Sequence, residues 1–171
     1  FENLSKWDKT EQIGFAVFTK EGRSLSVYQN TVFEFVKEEI HEKSGLNFKK
    51  LNSENDNNQM KIVFGSRQYA RNHVRNLLRA SGKERHWNEM SSWSSQQSCF
   101  AIFFNGADPA QRHTIKFAIA TVREDELLLC AFEEILQSLG LPNDSFDHVS
   151  SIFNDDNLYE LPTLNDWRML E

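Results

Sequence analysis

Residues 130-CAFEEILQSLGLPND-144 form a dense apolar run that carries two adjacent carboxylates and an amide, and the reading of the fold turns on what such a run does. Extended back to Asp125, the segment 125-DELLLCAFEEILQSLG-140 opens with acids, which suit the positive end of a helix dipole, and stops at Gly140. Leu128, Phe132, Ile135, Leu136 and Leu139 make one apolar stripe at helical spacing. Cys130, Glu133, Glu134 and Gln137 fall at i, i+3, i+4 and i+7 and share the other face. That face is expected to be either surface decoration or the floor of a cleft.

Upstream of this helix the pattern alternates strand and helix. The run 12-QIGFAVFT-19 has the apolar density of a strand covered on both faces. In 30-NTVFEFVKEEIHEKSG-45, Val32, Phe33, Val36 and Ile40 recur at helical spacing, with Asn30 as the expected cap and Gly45 as the stop. A polar loop, 52-NSENDNNQ-59, leads to a second strand at 59-QMKIVFG-65. Ser66 is then placed to cap a helix over 67–80 whose inner side carries Tyr69, Val74, Leu77 and Leu78. The stretch 87-WNEMSSWSSQQ-97 has no clear period and reads as an aromatic, serine-rich loop.

Two further strands, 99-CFAIFF-104 and 113-HTIKFAIATV-122, flank the turn chemistry of 105-NGADPAQR-112 and predict an antiparallel hairpin. In that pairing Cys99 lies beside Thr121. The chain then turns at 123-RED-125 into the helix that bears Cys130, so the two cysteines are expected to form a disulfide. Such a bridge stabilises by about 3 to 4 kcal/mol on the chain-entropy model, and it argues for a compartment outside the reducing cytosol.

Length and composition set the remaining bounds. A chain of 171 residues with 39% hydrophobic and 26% charged residues is expected to be one folded domain, 1–171, rather than a disordered segment. No apolar stretch reaches the roughly 18 residues needed to cross a bilayer. The chain begins at Phe1 rather than Met and ends in Leu170-Glu171, so both ends are expected to be cut. The formal net charge of −6 argues against nucleic acid as a partner. Its distribution is uneven: residues 66–86 carry Arg67, Arg71, Arg75, Arg79, Lys83 and Arg85 against Glu84 alone, while 144–160 carry five acids and no base. Arg67, Arg71, Arg75 and Arg79, spaced by four, lie along one helical face. The ordinary reading is a solvated face with local ion pairs; the functional one is a stripe that docks an anion or a partner.

Zinc hydrolases of the HExxH type place two histidines four apart on a helix, with a glutamate between them as general base, and metzincins extend the pattern to HExxHxxGxxH. Laid over this chain, the pattern falls on Glu133, Glu134, Gln137, Gly140 and Asn143. The general-base glutamate and the glycine remain, and every histidine is replaced. Residues 150-SSIFND-155 resemble the turn that metzincins build around a methionine, with Phe153 in its place, and 161-LPTLNDWRML-170 resembles the helix opening that follows. On these residues the chain resembles a metzincin-like family of secreted bacterial domains marked by an E-E-x-x-Q-x-L-G-L-P-N-D helix and a following S-I-F-N-D, a family with no established activity. The resemblance is specific from Cys130 to Asp166 and architectural before that. It implies an α+β, zincin-like single domain with a mixed twisted sheet, an antiparallel edge hairpin and a central motif helix. It also implies export to the periplasm, the cell envelope or the medium, with a lipid anchor upstream of Phe1 as one form of that export.

The substituted motif is a poor zinc site, because zinc favours nitrogen and sulfur while the amides of Gln137 and Asn143 are weak neutral oxygen donors. An oxygen set of Glu133, Glu134, Gln137, Asn143 and Asp144 suits calcium, magnesium or manganese better, yet its spacing is not that of a calcium loop. No metal or other cofactor is therefore expected, and Glu133, Gln137 and Asn143 are vestigial ligand positions. The histidines at 41, 73, 86, 113 and 148 show no ligand spacing; His41 and His73 read as surface or helix-packing residues, and His148 is the one retained as a substitute ligand. No G-x-S-x-G elbow marks a nucleophile. The expected function is a non-catalytic exported domain that holds a peptide or protein partner, through the sheet edge near 99–104 or through Arg67, Arg71, Arg75 and Arg79. The alternative is a peptidase-like hydrolase with a non-histidine or metal-free centre that uses Glu134 as general base.

Overall fold

The apolar runs of the first half become parallel strands because each is apolar on both faces and needs a helix over each side. The computed structural model describes residues 5–8, 12–51, 59–91, 99–107, 112–141, 151–154 and 159–169. Strands β1 (Gln12–Thr19), β2 (Asn47–Lys50), β3 (Met60–Gly65), β4 (Phe100–Asn105) and β5 (Ile115–Arg123) form one sheet in the order β2-β1-β3-β5-β4. Every neighbouring pair is parallel except β4 with β5. Helices α1 (Val27–Ser44), α2 (Arg67–Ala80), α3 (Glu84–Met90), α4 (Leu127–Gln137) and α5 (Leu164–Arg168) complete the mixed α+β architecture. Among the described residues no helix is long and apolar enough to cross a membrane.

Two cores lie on opposite faces of the sheet. Phe15, Met60, Ile62, Phe64, Ala118 and Ala120 point to the side covered by α1 and α4. Val63, Ile119 and Phe100 point to the side covered by α2 and α3, where Val74, Leu78, Trp87 and Met90 meet them. Alternation along β3, and along β5 from Phe117 onward, is what makes this division, since neighbouring side chains of a strand face opposite ways.

Local signals place most ends where the residues suggest. Ser66 Oγ accepts the Tyr69 N–H at 3.3 Å and opens α2. Gly45, at φ 72°, closes α1 and donates its N–H to His41 O. The start of α1 differs from expectation. Its cap is Ser26 rather than Asn30, through a reciprocal box in which Gln29 N donates to Ser26 Oγ at 3.2 Å and Ser26 N donates to Gln29 Oε1 at 2.9 Å. Asn30 instead accepts from Lys50 Nζ at 2.6 Å, which ties α1 to β2.

Two elements depart from the sequence reading. Part of the stretch read as a loop is the helix α3, whose Trp87 and Met90, one turn apart, are buried. Two residues are too few to display a period, and Lys83 provides no side-chain cap to announce the start. Strand β2 was hidden by its polarity: of NFKK only Phe48 is half-buried, meeting Phe15 edge-to-face at 6.2 Å.

The antiparallel hairpin forms as expected, with its register one residue along: Phe100, the neighbour of Cys99, is opposite Thr121. Phe100 N donates to Thr121 Oγ1 at 2.8 Å, and that hydroxyl donates to Phe100 O at 3.0 Å. After β5, Arg123 turns back on Asp125, Nε to Oδ1 at 2.9 Å, so that α4 begins at Leu127, two residues later than the acids suggest.

The end of α4 is set by a crossing segment. Lys6 N donates to His113 O and Ile115 N donates to Lys6 O, both at 2.9 Å, while Trp7 Nε1 donates to Ser138 O at 3.0 Å. Gly140 lies under this segment at φ 97°, and a Cβ there would stand 1.8 Å from Ser5 O. Both the backbone conformation and the space therefore demand glycine. Gly140→Ala is expected to lower stability by about 2 kcal/mol or more, read as a shift in the urea midpoint. A change below about 0.5 kcal/mol would mean the crossing segment is not held as described.

Candidate functional site around helix α4

Helix α4 has no solvated side. Phe132, Ile135, Leu136 and Leu139 of the expected stripe are buried, and Leu128 is half-buried. On the other face Cys130 is fully buried, Glu134 is 3% and Gln137 7% exposed, and Glu133 is half-buried. The polar face is thus neither a surface nor an open cleft floor. The cause is tertiary: α4 packs on β5 and β4, against α1, and under the segment that brings Trp7 to Ser138.

Glu133, Glu134 and Gln137 are brought together as one helical face; Asn143, Asp144 and His148 lie outside the described residues. Among the described residues, three metal-ligating side chains converge only at Cys99, Glu126 and Cys130, with Glu126 Oε2 4.0 Å from Cys130 Sγ. Both sulfurs there are joined in the Cys99–Cys130 disulfide, whose Cα atoms are 5.9 Å apart. Cys99 is 6% exposed and Cys130 not at all, so the bridge pins the start of edge strand β4 to the buried helix. A small apolar recess lined by Phe15, Phe33, Phe48, Met60, Ile62 and Ile135, with Lys37 among its walls, lies on the α1 side and holds none of the motif acids.

The residue missed in the sequence is Asp166. It is fully buried at the start of α5 and gathers four hydrogen bonds: Ser151 Oγ donates to Oδ1 at 2.5 Å, and Ile152 N, Thr163 N and Thr163 Oγ1 donate to Oδ2 at 3.1, 2.7 and 2.9 Å. Ser151 Oγ in turn accepts from Phe153 N at 3.1 Å. The turn that carries Phe153, buried at 2% exposure, is therefore held by a carboxylate. The available signal was Thr163-x-x-Asp166, a capping-box spacing read only as a helix opening. From α5, Trp167 meets Phe132 of α4 edge-to-face at 6.2 Å, and Phe132 meets Phe35 of α1 at 5.7 Å.

Of the two helix histidines read from the sequence, His41 is on the surface and His73 is packed. His41 Nδ1 lies 2.8 Å from Leu46 O at the end of α1. His73 lies between Phe18 and Tyr69, and burial, followed by the nearby Lys61 charge, pushes its pKa below the ordinary value. The arginine stripe is less regular than its spacing. Arg67, Arg75 and Arg79 are exposed, whereas Arg71 is half-buried, donates through Nη2 to Ser91 O at 3.1 Å and stacks over Trp87 at 5.2 Å.

These features define a class: an α+β domain with a five-stranded, mostly parallel sheet between helical layers and a disulfide that ties the edge hairpin to a buried polar helix. The chain belongs to the DUF2927 family, proteins of unknown function, whose family model matches residues 2–171. No curated protein matches the sequence.

Two stability measurements address this region. Asp166→Ala leaves the Ser151 hydroxyl and the Ile152 and Thr163 amides without their acceptor in a water-excluded site, and a loss of about 3 to 5 kcal/mol is expected in urea unfolding. A loss under about 1 kcal/mol would remove Asp166 as the organising group. For the disulfide, which closes a separation of 31 residues, reduction is expected to lower stability by about 3 to 4 kcal/mol. The serine double variant of Cys99 and Cys130 should match the reduced protein, and free thiols in protein purified without reductant would contradict the bridge.

Proposed function

We propose that this protein is a non-catalytic peptide- or protein-binding domain on a metzincin-like scaffold, acting outside the cytoplasm. The carrying observation is that the motif positions of α4 hold Glu133, Glu134 and Gln137, with Glu134 and Gln137 only 3% and 7% exposed. A general base must reach the proton it removes, and a carboxylate folded inside a helix–sheet interface is badly placed to do so. The sheet order, with its single antiparallel strand at the edge beside the motif helix, supports the scaffold assignment. The disulfide supports export.

The binding edge in this reading is β4. It ends the strand order, and among the described residues no strand pairs with its outer side. An extended peptide can add there as a further strand, taking affinity from main-chain hydrogen bonds. The disulfide holds the start of that edge against α4, so the edge is stiff when the peptide arrives.

The test has two parts. Protein purified without chelators is assayed for bound metal, for a melt with and without EDTA, and for peptide hydrolysis. The expected result is an unmoved melt and no hydrolysis that depends on Glu134. Bound metal with an EDTA-lowered melt, and hydrolysis lost in Glu134→Gln, would replace this reading with a hydrolase. Peptides selected from a random display library should slow amide exchange across 100–105, and peptide binding that leaves those amides unprotected would remove the β4 edge as the site.

A further inference from the structure

We propose that the outer face of α2 and α3 docks an acidic segment of a partner protein, with Arg75, Arg79, Lys83 and Arg85 as its docking cations and Arg71 as their internal brace. The inference rests on the reading of the domain as a binding module and assigns a second surface, on the α2–α3 face rather than along the hydrogen-bonding edge of β4.

The apolar side of α2 is consumed by the sheet, with Ala70, Val74 and Leu78 at 3%, 0% and 0% exposure. Arg75 and Arg79 are therefore displayed outward. The turn after α2 is tight: Gly82 N donates to Arg79 O at 3.1 Å and Lys83 N to Leu78 O at 2.7 Å, which folds Lys83 and Arg85 back beside the end of α2. Arg71 fixes this arrangement from within, because its guanidinium joins α2 to Ser91 and Trp87 of the α3 unit.

Folding alone does not account for the cluster. Cations one turn apart on a helix, such as Arg75 and Arg79, repel by a few tenths of a kcal/mol. Arg79 meets Glu84 at 3.6 Å with both side chains largely in water, a pairing that contributes little. Arg75 and Arg85 have no acidic partner among the described residues, and Lys83 lies over the Phe104 ring at 4.6 Å rather than on an acid. Phe104, half-buried and flanked also by His86 at 5.2 Å, gives the patch an apolar rim.

The class of partner follows from what surrounds the patch. A membrane surface needs apolar side chains to insert, and the most exposed ones, Val27, Tyr28 and Leu164, are on α1 and α5, which pack on the α4 side of the sheet. A long polyanion would have to lie along a chain whose net charge is −6 and whose remaining surface is more acidic than that figure. A short acidic segment touches the patch alone. Carboxylates four apart on a partner helix repeat at about 6 Å, the same rise that separates Arg75 from Arg79.

The test uses the intact, disulfide-bonded chain and fluorescence anisotropy. Its probe is a labelled helical peptide of about 15 residues with glutamates at i, i+4 spacing. A glutamine version of the peptide, an oligo-dT of similar length and vesicles containing phosphatidylglycerol are the other ligands. Saturable binding to the acidic peptide is expected, weakened about tenfold by raising salt from about 50 to about 300 mM. The Arg75→Glu/Arg79→Glu variant should bind about tenfold more weakly with an unchanged melt, while Lys43→Glu/Lys49→Glu, an equal charge change on α1 and β2, should bind as the parent does. No saturable binding at low salt, equal binding of the glutamine peptide, tighter binding of oligo-dT or vesicles, or indifference to the arginine reversals would each overturn the proposal. If these fail while library peptides still protect 100–105, the acidic-partner inference falls and the binding-domain reading stands; if both fail, both fall.

Discussion

Burial of α4 is the constraint from which the rest of this structure follows. An 11-residue helix whose residues are nearly all buried needs neighbours on every side, and each neighbour is in place for that reason. The antiparallel β4–β5 hairpin supplies the sheet face, α1 supplies the flank, and the segment through Trp7 closes over the end. The disulfide and the Gly140–Ser5 approach act at opposite ends of the helix, so α4 is clamped by a covalent bond at one end and by steric fit at the other.

The second organising group is Asp166. The turn bearing Phe153 is tied to α5 by this buried carboxylate, which takes four donors. The cation cluster of residues 75–85 sits on and between α2 and α3, on the face of the sheet away from α4, and reaches the hairpin only where Lys83 lies over Phe104.

Elements with strong local physics were legible before any coordinates. The strands β1, β3 and β5 are runs too apolar to be surface, and α2 announces its start at Ser66 and its inner face at Val74 and Leu78. The hairpin followed from turn chemistry at 105–112 and brought Cys99 near Cys130, as found, although Phe100 rather than Cys99 stands opposite Thr121. Strand β2 and helix α3 were missed for one shared reason: each is short, and each is specified by a neighbour rather than by its own pattern. Phe48 is strand because β1 offers it a parallel edge, and Trp87 is helical because Arg71 and the sheet hold it there.

The candidate site divides the same way. The sequence alone determined that Glu133, Glu134 and Gln137 share one helical face, because a helical repeat is a local property of the backbone. It also determined that positions 133, 137 and 143 carry no histidine, and that α2 has a row of arginines at four-residue spacing. Only the tertiary structure decided that this polar face is inside, that Arg71 turns inward while Arg75 and Arg79 stay out, and that Asp166 is a hub. These outcomes depend on residues far apart in the chain, such as Trp7 and Ser138 at a separation of 131, and a local pattern contains no term for what will come to cover it.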